Sequence, residues 1–187
     1  TYRPVIEAVV DIGELEDFPS NTLPGFYQRL TGWLPGLIEH RCSVGRRGGF
    51  LMRLRDGTWP GHILEHVALE LQTQAGMKTG FGKARMTHER GVYKVVIRTR
   101  DEAVGRAALE SARDLVMAAI NDRPYDIGAT IAKLAFFTAA NAMKACMIPH
   151  TVPNRPIYGL IEPTVASKGK LVSRSSTSRD KETRIAR

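Results

Sequence analysis

Residues 62–70 read HILEHVALE, a pattern that fits a helix with two chemically different faces. A helix turns by about 100° per residue, which places His62, Glu65 and His66 on one face. The apolar residues fall on the opposite face: Ile63, Leu64, Val67, Ala68 and Leu71. A proline precedes the stretch and a glycine follows it, so we predict a helix from His62 to about Ala75 that packs on a core.

The segments around this helix predict both strands and further helices. Alternating or β-branched residues predict three strands, over residues 5–12, 80–87 and 91–99. Apolar residues at helical spacing predict three other helices, over residues 23–38, 101–120 and 127–145. No strand–helix–strand repeat with a glycine fingerprint occurs. We therefore predict an α+β fold, a small and mainly antiparallel sheet packed against several helices, in a single domain plus a tail.

Length and charge divide the chain of 187 residues into three parts. Residues 1–134 carry 18 Lys and Arg against 16 Asp and Glu, as expected of an electrically balanced folded domain. Residues 135–148 have a helical pattern that continues the domain. Residues 149–187 are rich in Pro and then in Ser, Lys and Arg, which predicts a disordered tail. Residues 135–187 hold nine cations against three acids, so the net charge of +8 predicts no nucleic-acid partner for the folded part.

Composition also limits the compartment. Two cysteines, Cys42 and Cys146, cannot make a disulfide scaffold or a four-thiolate zinc site. No apolar run approaches eighteen residues and the first residues do not resemble a secretory signal. We therefore expect a cytoplasmic protein without a membrane partner. The chain starts with Thr1 rather than Met, so we expect that a segment precedes it.

The polar face of the predicted helix is a candidate zinc site. Two histidines four residues apart can offer two nitrogens to one tetrahedral zinc, and a neighbouring glutamate can act as a general base. The spacing H-x-x-E-H therefore indicates His62 and His66 as ligands and Glu65 as the base. Spacing leaves the third ligand open, and the candidates are Glu39, His40 and Glu70. The alternative is a polar face that simply points to solvent.

Two further features near this helix suggest binding roles. Arg46 and Arg47 lie in a glycine-rich loop and suit contacts with carboxylates. Trp59, at the helix entrance, is placed to wall a pocket. Cys42 fits a small buried apolar residue better than a metal ligand.

Longer stretches resemble a known family. Residues 23–76 read LPGFYQRLTGWLPGLIEHRCSVGRRGGFLMRLRDGTWPGHILEHVALELQTQAG, and residues 80–96 read GFGKARMTHERGVYKVV. From about Val5 to Leu134 the chain resembles the N-terminal domain of cyanophycin synthetase, a bacterial enzyme. The family's product is a poly-aspartate chain that carries an arginine on each side-chain carboxylate. In the family, an ATP-grasp ligase domain and a Mur-ligase-like domain perform synthesis, so we expect no synthetase activity from this chain alone.

The resemblance implies a function for the candidate site. It implies cyanophycin binding and, as in some family members, zinc-dependent internal cleavage of the polymer, which makes ends that prime synthesis. Glu65 would be the base, and the polymer's carboxylates would meet Arg41, Arg46 or Arg47. Implied partners are the polymer, the ligase domains of a full-length synthetase and a second copy of the chain. The alternatives are a non-catalytic polymer-binding or oligomerisation module, or a truncated remnant.

Overall fold

The structure is a computed structural model, and it describes residues 4–147. The tail expected over residues 149–187 lies outside the described residues, as does residue 148. In chain order the strands and α-helices are β1 (Val5–Asp11), α1 (Phe26–Trp33), α2 (Gly49–Asp56), α3 (Pro60–Gln74), β2 (Gly82–Met86), β3 (Val92–Arg98), α4 (Glu102–Ile120) and α5 (Ile127–Met147). The predicted α+β class with a small antiparallel sheet is confirmed. α5 continues across the boundary placed at residue 134.

The sheet has the order β1-β3-β2, with both outer strands antiparallel to β3. Val95 of β3 lies opposite Ala8 of β1 and Ala84 of β2. Side chains alternate between two faces along a strand, and Val95 and Ile97 are fully buried whereas Lys94 is exposed. The helices therefore cover one face of the sheet and leave the other open.

Helix α3 lies at the centre of the molecule. It contacts β2, β3, α4 and α5, and the 3-10 turn Pro35–Glu39 packs on it as well. Its predicted apolar face is confirmed, since Val67 and Leu71 are fully buried. It begins two residues before the predicted start, because Pro60 at the first helical position has a φ already suited to a helix.

The polar face of α3 is buried as well. Twelve of its fifteen residues are buried, and these include Glu65, His66 and Glu70. The alternative that this face points to solvent is therefore wrong. The reason is a second layer, formed by residues 34–56 and by β2, that covers the face opposite the core.

This covering layer differs from the helix predicted over residues 23–38. α1 ends at Trp33, and the chain continues as the 3-10 turn Pro35–Glu39. Pro35 has no N–H to continue the helical hydrogen bonds, and its ring clashes with the preceding turn. A second 3-10 turn, Cys42–Val44, and the glycine-rich loop lead into α2, whose Phe50 contacts His66 of α3. Among residues 4–147, no helix is long and apolar enough to cross a bilayer.

Close approach between α3 and the sheet depends on a glycine. A Cβ at Gly61 would lie 2.4 Å from the ring of Tyr93, which is a severe overlap with a buried side chain. We predict that Gly61→Ala lowers the free energy of unfolding by about 1–3 kcal/mol, the usual cost of overpacking. Urea-induced unfolding followed by circular dichroism measures this change.

Gly32→Ala is the matched control, because a Cβ at Gly32 meets nothing within 4 Å. In a helix, alanine is more stable than glycine by about 0.5–1 kcal/mol, so this variant should gain stability. If Gly61→Ala were as stable as Gly32→Ala, the close contact with Tyr93 would be contradicted.

Candidate metal centre

Three side chains that could bind a metal ion converge where the covering layer meets α3. One ligand atom from each of Cys42, His62 and His66 lies within 4.8 Å of the others. The Cys42 Sγ lies 3.3 Å from His62 Nε2. No other such group of His, Cys, Asp and Glu occurs among residues 4–147.

Cys42 reaches this position through an unusual backbone conformation. Its φ is +52°, in the left-handed region that costs a non-glycine residue about 1–2 kcal/mol. The Arg41 carbonyl before it accepts a hydrogen bond from the Gly45 N–H at 3.2 Å. Gly49 packs against the same carbonyl, 2.0 Å from where a Cβ would be. The sequence favoured a packing role for Cys42, but the structure places its half-buried thiol beside His62.

An aromatic ring positions both imidazoles. Phe50, fully buried at the start of α2, stacks on His66 with ring centroids 4.1 Å apart and planes 23° apart. The same ring meets His62 edge-on at 5.8 Å, and the two imidazole centroids are 4.8 Å apart. The contacts hold two rings from successive turns of α3 in fixed orientations.

Hydrogen bonds engage one nitrogen of each imidazole. His62 Nδ1 lies 2.8 Å from the hydroxyl oxygen of Thr58, and His66 Nδ1 lies 2.8 Å from His40 Nδ1. Hydrogen bonds of this kind fix the ring orientation of metal-binding histidines. Nε2 is therefore the nitrogen available to a ligand in each ring: that of His62 faces Cys42 Sγ, and that of His66 makes no hydrogen bond within residues 4–147.

Burial keeps both imidazoles neutral. It lowers the pKa of His62, to which the nearby charge of Arg53 adds, and it lowers the pKa of His66 further, helped by His62 and His40. A neutral imidazole is the form that binds a metal ion. The environment thus favours the protonation state that a metal centre requires.

The three residues considered as third ligand lie elsewhere around the cluster. Glu39 is exposed and accepts hydrogen bonds from Arg47 at 2.6 and 2.8 Å, which lowers the pKa of its carboxyl. His40 and Glu70 bind each other behind His66, with His40 Nε2 3.1 Å from Glu70 Oε2. His40 thus contacts His66, but the group whose ligand atoms converge is Cys42 with His62 and His66.

Glu65 lies on the same side of α3, against β2. It is 7% exposed, and a Cβ at Gly82 would lie 2.7 Å from its Oε1. Burial raises the pKa of Glu65 to about 7, although a backbone hydrogen bond with Ala84 opposes the shift. A carboxyl with such a pKa can accept or donate a proton near neutral pH.

These groups line an open cleft of about 900 Å³. Of the residues proposed to bind substrate, Arg41 and Trp59 line it, whereas Arg46 and Arg47 do not. The structure adds Arg53, Phe81 and Lys83, which the sequence analysis did not identify. Trp59 and Phe81, which also line the cleft, are 42% and 46% exposed overall.

The donor set fits a transition metal such as zinc. One thiolate and two imidazoles are ligands that zinc accepts, and three protein ligands leave a fourth tetrahedral position for water or substrate. The sulfur and nitrogen donors do not suit magnesium or calcium, which prefer oxygen.

Comparison with known proteins gives a family and several relatives. Residues 7–121 match the family described as cyanophycin synthase-like N-terminal domain. Proteins named cyanophycin synthetase from Synechocystis sp. and Crocosphaera subtropica are each 48% identical over 125 residues, which is 67% of this chain. One from Trichormus variabilis is 49% identical over 116 residues, 62% of this chain. The chain spans about 14% of the length of the first two and about 13% of the third.

Cobalt can test whether the three side chains form one centre. A cobalt ion bound by a thiolate gives a sulfur-to-metal charge-transfer absorption, which ligation by imidazole alone does not give. We predict this absorption on titrating the chain with Co²⁺, with its loss in Cys42→Ser because the thiolate is removed. Ultraviolet and visible absorption spectroscopy measures both.

Cys146→Ser is the control, since Cys146 is the other cysteine of the chain. We expect this variant to keep the absorption. A band that survives Cys42→Ser and disappears with Cys146→Ser would contradict the assignment of Cys42.

Proposed function

The chain belongs to the family of cyanophycin synthase-like N-terminal domains, and from this we propose that it binds cyanophycin and cuts it internally by zinc-dependent hydrolysis. The observation that carries the proposal is the convergence of Cys42, His62 and His66 in a cleft that Glu65 also lines. Internal cuts would give chain ends that prime synthesis.

Cys42, His62 and His66 would hold the zinc, Cys42 taking the place left open for a third ligand. When bound, a zinc ion lowers the pKa of water and polarises a carbonyl oxygen. The thiol and both histidines must be deprotonated to bind it, and burial of His62 and His66 already favours their neutral forms. The surrounding contacts of Phe50 fix the two rings, so little conformational freedom would be lost on binding.

Glu65 is the proposed general base. Its ionised carboxylate would take a proton from the attacking water and pass it to the nitrogen of the broken amide bond. Both tasks need a pKa near the working pH, and burial against Gly82 supplies it by disfavouring the charged form. The same packing against Gly82 restricts the conformations open to the side chain.

The walls of the cleft suit the charges of the polymer. Each repeat of cyanophycin carries a free carboxylate and a guanidinium on its arginine. Arg41, Arg53 and Lys83 could bind the carboxylates, and the exposed faces of Trp59 and Phe81 could bind guanidinium groups through cation–π contacts. The indole of Trp59 is held by a hydrogen bond to the Glu16 carbonyl at 2.9 Å.

The test is cleavage of the polymer by the 187-residue chain. Insoluble cyanophycin incubated with protein and zinc should release soluble fragments, measured by mass spectrometry. We predict that Glu65→Gln lowers the rate by about 10²–10⁴-fold, the usual contribution of a general base, because an amide cannot take the proton. Chelation of zinc should stop the release.

Glu110→Gln is the matched control, since Glu110 is an exposed carboxylate on α4, outside the cleft lining. This variant should cleave at the normal rate. Cleavage by Glu65→Gln at the same rate, with zinc bound, would remove Glu65 from the mechanism.

A second candidate is polymer binding without cleavage. It is favoured by the cations and exposed aromatic rings of the cleft, which need no metal to bind a chain. Under this alternative, cyanophycin still sediments with the protein after chelation, and no fragment appears.

Binding to the cleft wall can be tested separately from cleavage. We predict that Arg41→Ala weakens binding to cyanophycin by about three- to tenfold, because a charge-assisted hydrogen bond at a partly exposed site is lost. Co-sedimentation at a series of protein concentrations measures the affinity. Arg113→Ala, an exposed cation on α4, should bind normally, and equal affinities of the two variants would place the polymer elsewhere.

A further inference from the structure

We propose that Glu70 is a positioning residue: acting through His40, it fixes which nitrogen of His66 carries the proton and so directs the free Nε2 of His66 toward Cys42 and His62. This inference rests on the proposed metal centre for its purpose. Its main observable, the position of a proton in the metal-free protein, can be measured whether or not a metal binds.

A row of four side chains runs from α3 to the cluster. Gln74 Nε2 donates to Glu70 Oε1 at 2.8 Å. His40 Nε2 lies 3.1 Å from Glu70 Oε2, and His40 Nδ1 lies 2.8 Å from His66 Nδ1. Glu70 and His66 are 4% and 5% exposed, so water cannot easily replace these partners.

We take Glu70 as a carboxylate and His40 as a neutral imidazole, a premise that the tautomer measurement below tests. Under this premise, the proton positions are as follows. An ionised carboxylate can only accept, so the proton shared with Glu70 belongs to His40 Nε2. A neutral imidazole carries one N–H, which leaves His40 Nδ1 as an acceptor. The short contact between the two Nδ1 atoms then requires the proton to be on His66 Nδ1. The Nε2 of His66 is left with a free electron pair, which is what a metal ligand needs.

Glu70 is itself held in place. A Cβ at Gly36 would lie 1.9 Å from Glu70 Oε1, so the 3-10 turn Pro35–Glu39 packs directly on the carboxylate at a residue without a side chain. Gln74, one turn further along α3, occupies that same oxygen. The remaining oxygen has His40 as its partner. The Glu70 carboxylate is therefore held in one position by its two partners, about one helical turn from His66.

The experiment measures histidine tautomers by ¹⁵N–¹H NMR on the metal-free, full 187-residue chain with ¹⁵N-labelled histidine. The His66 signals are assigned by their loss in His66→Gln. In the wild type we expect His66 protonated at Nδ1 and His40 protonated at Nε2. In Glu70→Gln the new amide can donate to His40, so we expect His66 to shift wholly or partly to the form protonated at Nε2.

His40→Phe is a second variant, which keeps an aromatic ring and removes the acceptor. It should shift the His66 proton in the same direction, so the inference stays testable if Glu70→Gln fails to fold. Glu110→Gln on α4 is the control and should leave the His66 signals as they are. The inference is overturned if wild-type His66 is protonated at Nε2, or if neither variant moves the proton.

Zinc affinity gives a second readout, measured by competition with a chelating dye. Mutation of a residue that orients a metal-binding histidine typically costs about 10–100-fold in affinity, and we expect a loss of this size in Glu70→Gln because a His66 protonated at Nε2 has no free electron pair there. If the zinc affinity of Glu70→Gln is unchanged although the proton of His66 has moved, Glu70 does not serve to prepare His66 Nε2 for a metal ion. A wild type that holds the expected tautomer but binds no zinc would contradict the proposed function while leaving the role of Glu70 in place.

Discussion

The burial of a polar helix face under a second layer of chain is the constraint on which the site depends. Buried polar groups cost free energy unless they are hydrogen-bonded, so each side chain on this face needs a partner from the covering layer, from the loop before α3 or from α3 itself. His62 has Thr58, and His66 has His40. Glu70 has His40 and Gln74. Satisfying these groups fixes the orientation of both imidazoles, and the candidate metal centre follows from that orientation.

Glycines let the covering layer come close enough. Gly36 fits over Glu70, Gly82 lies against Glu65, and Gly49 packs on the carbonyl that precedes the left-handed turn of the loop. At each of these positions a Cβ would lie less than 3 Å from another group. Because Gly36 and Gly82 have no side chain, the covering layer packs directly on the carboxylates of Glu70 and Glu65 and excludes bulk water from them. That exclusion is what raises the pKa of Glu65 and gives the cleft a base suited to neutral pH.

The site is held at a cost in stability. Cys42 is in a backbone conformation that favours glycine, and Glu65 is a carboxyl kept away from water. Burial raises the pKa of Glu65 in the folded chain from 4.5 to about 7. Its protonated form therefore contributes full stability below about pH 4.5, and this contribution is lost as the pH rises through 7 and the buried carboxyl ionises. Such costs are usual where side chains are arranged for chemistry rather than for packing.

Local spacing was enough to predict the α+β class, the elements that carry strong periodicity and the placement of His62, Glu65 and His66 on one face of a helix. Helical spacing fixes relations between residues three and four apart. It cannot say what covers a helix, so the burial of that face and the convergence of Cys42 on it were decided by the tertiary structure. The same holds for His40: its side chain was identified as able to bind a metal, but only the folding of residues 34–56 over α3 placed it between His66 and Glu70.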